Sequence, residues 1–87
     1  MFDSKHEAAR FVELKLLERA GVITDLTLQP KLEFTLEGEK MFIYRPDFTY
    51  REKGHWVVED AKGVRTPVYR LKKKLIEKQH KLEIRET

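Results

Sequence analysis

Two apolar runs joined by a tight turn constrain this chain more than any of its other features. Residues 41–50 and 55–62 are rich in aromatic and β-branched side chains, and the intervening E-K-G is a turn sequence. The two runs therefore predict neighbouring strands, which carry Asp47, Asp60 and Lys62 as polar exceptions. Because strand side chains alternate between faces, Asp60 and Lys62 are expected to point to the same side.

Length and composition limit the class of protein. With 87 residues, the chain can form one domain around a single modest core. A content of 38% charged and 40% hydrophobic residues is typical of a globular protein and argues against disorder. The absence of cysteine excludes disulfides and thiolate metal sites, and we expect a cytoplasmic protein. No apolar run approaches the roughly 20 residues that span a bilayer, so no membrane association is expected.

The distribution of charge is more informative than its sum of +3. Residues 61–87 contain nine Lys or Arg against three Glu, whereas residues 1–60 are net acidic. This asymmetry indicates an anionic partner at the C-terminal part of the chain, such as nucleic acid. A solvated, lysine-rich helix face is the simpler alternative.

The sequence predicts an α+β domain. The predicted elements are a helix over residues 5–20, strands over 26–28, 31–36, 41–50 and 55–62, a helix opening at Thr66-Pro67, and a strand over 82–85. Ser4 and Glu7 fit a capping box at the first helix, and Pro30 limits the first strand to a sheet edge. We summarise the order as α-β-β-β-α-β, with a central mixed sheet between two helices and Trp56 in its core.

The carboxylates suggest a site for a hard cation. Mg²⁺ or Mn²⁺ takes oxygen ligands, and Asp47, Asp60 and the main-chain carbonyl of Ala61 supply three. Lys62 is then placed to hold the attacking water and to stabilise negative charge on a phosphate undergoing hydrolysis. Glu7 reaches the same site if the first helix packs across the sheet, where it would bind a second metal or a metal-bound water.

Several motifs resemble a known superfamily. Pro46-Asp47 followed by Asp60-Ala61-Lys62 is similar to the PD-(D/E)XK nuclease signature, and the element order resembles its restriction-endonuclease-like core. The segments F-D-S-K-x-E-A, L-E-R-A-G, L-Q-P, P-D-F-x-Y and V-V-E-D-A-K-G together resemble small phage and prophage proteins. Members of that family are described as domains of unknown function or as endonucleases. They carry additional, often basic, residues before F-D-S, and we expect a chain without such residues to lose substrate grip more than chemistry.

The resemblance implies a function and a site. Glu7, Asp47, Asp60 and Lys62 match the four active-site positions of the superfamily, whose relatives include dimeric Holliday-junction resolvases. It implies a metal-dependent, phage-encoded endodeoxyribonuclease that leaves a 5′-phosphate. So small a chain has little surface for base-specific readout, and we therefore expect branched, flap or junction DNA as substrate and a homodimer as the active form.

Each candidate residue also has a structural explanation. In the structural explanation, Glu7 acts simply as a helix cap, and Asp60 acts simply as the ion-pair partner of Lys62. Glu59 is expected on the face opposite Asp60, and it competes for the site only if the strand is bulged. Tyr69 can contact the site or pack in the core. Candidate DNA contacts are the N-terminus of the second helix and its basic residues, namely Arg65, Thr66, Arg70, Lys72, Lys73 and Lys74.

Two other functions fit the same sequence. A non-catalytic nucleic-acid-binding module would keep the fold and the basic helix without cutting DNA. A phage accessory protein would instead present the charged helix to a protein partner. The acidic pair beside a lysine argues against both, because a pure binder gains nothing from carboxylates close to phosphate.

Overall fold

The computed structural model describes residues 5–61 and 65–87 of the chain. In chain order the elements are α1 (Lys5–Arg19), β1 (Ile23–Leu28), β2 (Leu32–Leu36), β3 (Glu39–Tyr44), β4 (Phe48–Glu52), β5 (His55–Asp60), α2 (Pro67–His80) and β6 (Ile84–Glu86). Ser4 and Lys62, the predicted cap of α1 and the predicted catalytic lysine, lie outside the described residues. Among those residues, no helix is long and apolar enough to cross a membrane.

The strands form one mixed sheet and one hairpin. The sheet has the order β1-β4-β5-β6, in which β1, β4 and β5 are antiparallel neighbours and β6 runs parallel to β5. Strands β2 and β3 form a separate two-stranded antiparallel sheet. This arrangement confirms the predicted α+β class. Five strands lie between the helices, where the order α-β-β-β-α-β has three and the predicted strand segments number four.

Pro46 accounts for the division of one predicted strand into two. The predicted strand over residues 41–50 is divided, since β3 ends at Tyr44 in the hairpin and β4 begins at Phe48 in the main sheet. Proline has no N–H to donate to a ladder, so the chain leaves one sheet there and enters the other. Asp47 consequently lies at the corner between the two sheets.

Two apolar clusters cover the two faces of the main sheet. On one face, Leu14 of α1 packs with Ile23, Phe48 and Tyr50. On the other face, the cluster joins strands β3, β5 and β6 to α2 through Tyr44, Val58, Ile76 and Ile84.

Trp56 was predicted in the core, and this prediction is wrong. Its side chain is 59% exposed, and the guanidinium of Arg51 stacks over its ring at 4.5 Å. The reason is topological, because β6 pairs only with Val58, Glu59 and Asp60 and leaves the first half of β5 at an open edge.

The free edge of β2 is closed by side chains of α2. The amide of Gln79 accepts a hydrogen bond from the backbone N–H of Thr35 at 2.8 Å and donates one to its carbonyl at 2.6 Å. The ring of His80 lies 2.7 Å from the carbonyl of Glu33. These contacts fix the hairpin against α2 and satisfy the edge groups that would otherwise offer a pairing site to another chain.

We predict that Gln79→Ala lowers the free energy of unfolding by about 1 kcal/mol, because two backbone hydrogen bonds lose their partner. Lys78→Ala, at the preceding exposed position of the same helix, is the control and should change stability by less than about 0.5 kcal/mol. Urea denaturation followed by circular dichroism measures both. Equal stability of the two variants would contradict the edge-closing role of Gln79.

Candidate active site

Asp47 links the corner between the sheets to the end of β5. Its side chain is buried, and one carboxylate oxygen accepts a hydrogen bond from the backbone N–H of Ala61 at 2.7 Å. Its own carbonyl accepts from the N–H of Gln29 at 2.9 Å, which ties the corner to the end of β1. One backbone N–H therefore holds the carboxylate of Asp47, and another holds its main-chain carbonyl.

Asp60 is the last residue of β5, and its side chain is fully buried. Phe48 pairs with Glu59 across β4 and β5, and continuing this register by one residue sets Asp47 opposite Asp60. The hydroxyl of Tyr44 donates a hydrogen bond to the Asp60 carboxylate. The register thus sets Asp47 and Asp60, the two acidic residues that the sequence singled out, side by side at the ends of neighbouring strands.

Tyr44 is suited to hold Asp60 as a permanent donor. Burial, together with the hydrogen bond to Asp60 and the negative charge there, raises the pKa of the Tyr44 phenol far above its usual value. The phenol therefore stays protonated at every physiological pH and fixes one carboxylate oxygen of Asp60.

Glu7 lies near the end of the sheet where β5 and β6 terminate. It is buried in the first turns of α1. The preceding residue, His6, places a ring nitrogen 2.8 Å from the carbonyl of Thr87, and the N–H of Thr87 donates to the carbonyl of Asp60 at 3.1 Å. The N-terminus of α1 is therefore anchored at the end of the sheet that carries Asp60.

Glu59 faces the opposite side of β5, as strand alternation predicts. Its buried carboxylate receives two guanidinium hydrogen bonds from Arg10 of α1, one of them at 3.0 Å. The hydroxyls of Tyr50 and Thr87 donate to it as well. Burial opposes ionisation, but the bonds from Arg10 and Tyr50 outweigh it and lower the pKa of Glu59 below its ordinary value. Burial and the same contact raise the pKa of Tyr50 to about 12. These contacts give Glu59 a structural role, which is to join α1 to the sheet.

Tyr69 joins the site to a carboxylate that the sequence reasoning missed. Its hydroxyl donates to Glu86 at 2.9 Å, and the guanidinium of Arg65 lies 2.9 Å from the same oxygen. Glu86 pairs with Asp60 in the parallel register of β5 and β6, so the two residues are neighbours on one face. Burial and the charge of Asp60 raise the pKa of Tyr69. The only signal for Glu86 in the sequence was its place one residue beyond the predicted last strand.

The basic residues of α2 divide into two groups. Thr66 caps the helix by accepting the N–H of Tyr69 at 3.1 Å, and Pro67 is the first helical residue, as predicted. A cleft of about 550 Å³ between α2 and β6 is lined by four of the predicted DNA contacts, Arg65, Arg70, Lys73 and Lys74. Glu77 and Glu86 line the same cleft. Lys72 instead faces the hairpin, with its ammonium nitrogen 5.4 Å from the centre of the Phe42 ring.

The chemistry of the donor set fits a hard divalent cation. Asp47, Asp60 and the carbonyl of Ala61 offer only oxygen atoms, which is the donor type that Mg²⁺ and Mn²⁺ prefer. Within residues 5–61 and 65–87, no group of three or more His, Asp or Glu side chains has the geometry of a complete metal cage. A pair of carboxylates is nevertheless sufficient for Mg²⁺, because this ion keeps several of its waters.

Fold and site together define a small α+β domain with two buried carboxylates at one end of a mixed sheet. Residues 1–87 match the model of the family described as "Protein of unknown function (DUF1064)". The match spans the whole chain, and the protein therefore belongs to this family. Neither a curated protein nor a solved structure gave a significant match to the chain.

The contacts of Glu59 generate a prediction about stability and pH. Because its folded pKa is depressed, its ion pair stabilises the protein above the unfolded pKa of about 4.5 and is lost as pH falls through the folded value. Glu59→Gln should therefore lower the free energy of unfolding at pH 7 by about 2–4 kcal/mol, and by progressively less below about pH 4.5.

Urea denaturation over a pH series measures this effect. Glu13→Gln is the matched control, since Glu13 also lies near Arg10, at 3.7 Å, but is largely exposed. The control should change stability by less than about 0.5 kcal/mol at any pH. A loss in Glu59→Gln that is independent of pH would rule out the ion pair as its cause.

Proposed function

We propose that this protein is a Mg²⁺- or Mn²⁺-dependent endonuclease that hydrolyses phosphodiester bonds in DNA. The observation that carries the proposal is the meeting of two buried carboxylates, Asp47 and Asp60, at the ends of neighbouring strands beside a basic helix. Burial of an acid opposes its ionisation, so a fold keeps paired acids inside only where a charge partner or a cation compensates. The resemblance to PD-(D/E)XK nucleases supports the same conclusion.

Each residue has a defined part in this reaction. Asp47 and Asp60 hold the cation together with the Ala61 carbonyl, and the hydroxyl of Tyr44 keeps Asp60 in place. When bound, the cation lowers the pKa of a coordinated water and neutralises charge on the phosphate. Lys62, which the sequence places one residue beyond Ala61, stabilises the negative charge that builds up on the phosphate. Glu7, in the first turns of α1, is the third acidic residue of the proposed site, although the described residues contain no group of three acidic side chains that could hold a metal.

The basic cleft between α2 and β6 supports DNA as the substrate. Arg70 and Lys74 line it with Arg65 and Lys73, between α2 and the strand β6 that pairs with the end of β5. The N-terminus of α2 adds backbone N–H groups that favour an anion. We propose that the protein acts on branched or flapped DNA as a homodimer, which would bring one site to each of two strands.

A non-catalytic DNA-binding module is the second candidate. The observation that favours it is that the described residues contain no complete cage of three acidic or histidine ligands. Such a module would use the same basic cleft and would bind DNA equally well without a metal.

We predict that Asp60→Asn and Asp47→Asn each reduce metal-dependent cleavage of labelled flap, four-way-junction and linear DNA by at least about 100-fold, because the cation loses a charged ligand. Asp25→Asn is the matched control, since Asp25 is exposed on β1 and has a positive φ of 57°, which asparagine tolerates. If the wild type leaves the DNA intact and shifts it on a gel even in EDTA, the nuclease proposal fails and the DNA-binding module is the remaining candidate. The absence of both cleavage and shift would point to a protein partner.

We predict that Tyr44→Phe raises the Mn²⁺ concentration for half-maximal cleavage by about 10- to 100-fold, because loss of an outer hydrogen bond loosens a metal ligand. Binding of DNA in EDTA should not change. Tyr50→Phe is the matched control, because Tyr50 makes the equivalent bond to Glu59 on the other face. An unchanged Mn²⁺ requirement in Tyr44→Phe, or an equal increase in Tyr50→Phe, would contradict the positioning role.

A further inference from the structure

A second cleft lies between β3 and the first turns of α2, on the hairpin side of the helix. We refer to it as the β3–α2 cleft; its volume is about 320 Å³, and its wall includes Ile43, Tyr44, Arg45, Val68, Tyr69 and Lys72. It opens beside the carboxylates, since Tyr44 donates to Asp60 from this wall and Arg45 precedes Asp47 by two residues.

The two basic side chains of the β3–α2 cleft form no ion pair among the described residues. Arg45 and Lys72 line the cleft, and within residues 5–61 and 65–87 no acidic side chain does. Across the described ranges, the ion pairs leave out both of these residues. In the cleft beside β6, by contrast, Arg65 pairs with Glu86 at 2.9 Å and Lys73 pairs with Glu77 at 3.3 Å. An anion therefore gains more from the charges of the β3–α2 cleft, because they are not already paired.

Exposed apolar side chains line the same cleft. Val68 is 61% exposed and Ile43 is 38% exposed, although both are large hydrophobic residues. Apolar surface beside two cations suits a ligand that is anionic at one end and flat and apolar at the other. A nucleotide whose base is unpaired has this combination, whereas a base inside a duplex keeps its faces stacked on its neighbours.

The size of the cleft agrees with a single nucleotide. Its volume of about 320 Å³ lies at the lower end of the roughly 300–1,000 Å³ usual for small-ligand sites. A double helix, with a major groove alone about 12 Å wide, does not enter such a space.

We propose that the β3–α2 cleft binds one unpaired nucleotide adjacent to the phosphodiester that Asp47 and Asp60 address. Arg45 and Lys72 hold its phosphate, and the base packs against Ile43 and Val68. The inference rests on the proposed nuclease function and narrows it, because the substrate must then offer an unpaired nucleotide at the cut, as a flap, a junction or a single strand does.

Binding of a fluorescent ten-nucleotide dT strand in EDTA tests the phosphate contacts without requiring cleavage. Each phosphate contact on a single strand contributes about 0.7 to the slope of log K against log salt, or about fivefold in affinity at 0.1 M salt. The double variant Arg45→Gln/Lys72→Gln should therefore reduce the slope by about 1.4 and the affinity by about 25-fold. The control Arg19→Gln/Lys53→Gln makes the same charge change at exposed positions, at the end of α1 and in the β4–β5 turn. Equal slopes for the two double variants would overturn the inference.

An abasic strand of equal length tests the base contact. Val68→Ser should weaken binding of the dT strand by about threefold to fivefold, because the base loses apolar contact with the side chain, and should leave the abasic strand unaffected. Val68 is exposed, so the fold should tolerate the change. Equal losses for both strands would overturn the base contact.

The two proposals fail in different ways. If the wild type binds the dT strand as predicted but cuts no DNA with Mn²⁺, the nuclease proposal fails and the cleft stands as a binding site. If the wild type cuts DNA, but the cleft variants bind and cut like their controls, the nuclease stands and the cleft has no part in binding.

Discussion

Strand β5 ends in two consecutive buried carboxylates, Glu59 and Asp60, and the rest of the structure is arranged around them. Strand alternation sends the two side chains to opposite faces of the sheet. Each face then supplies a tyrosine hydroxyl, Tyr50 for Glu59 and Tyr44 for Asp60. Burying a carboxylate without partners costs free energy. The need for these partners therefore fixes the positions of the elements that carry them.

The two faces use their carboxylates differently. Glu59 binds the guanidinium of Arg10, so that α1 is held against the apolar cluster of Leu14 and Phe48. Asp60 faces the hairpin and α2, where Asp47 is held alongside by the N–H of Ala61. One carboxylate thus orients a helix, and the other lies next to Asp47 under the hairpin and α2. A single strand accordingly connects the packing of α1 to the geometry of the candidate site.

Local signals in the sequence predicted the elements well, and the period of two predicted the faces of Glu59 and Asp60. Thr66-Pro67 gave the start of α2 because capping and a fixed φ act within a few residues. The sequence predicts Trp56 in the core, because an aromatic residue in an apolar run is typical of a buried strand. Only the short pairing of β6 reveals that its half of β5 lies at an open edge.

Sequence signals for the candidate site were also limited to those that are local in the chain. Asp47 and Asp60 stand out because each interrupts an apolar run, and this property is visible in the chain itself. Glu86 has no such mark, because it becomes a neighbour of Asp60 only through the parallel register of β5 and β6. Arg45 likewise lies in the wall of the β3–α2 cleft only because the chain passes from one sheet to the other at Pro46.

Helix α2 explains why the site has two basic approaches instead of one. Successive residues of a helix are about 100° apart, so Lys72 and Lys73 leave α2 on different sides. Lys73 faces Glu77 and the cleft beside β6, whereas Lys72 lies over Phe42 and faces the hairpin. Tyr69 lies between them and reaches Glu86. The first turns of α2 therefore separate two clefts that both carry basic side chains. For the proposed DNA substrate, this arrangement suits two diverging nucleic-acid segments better than it suits one continuous duplex.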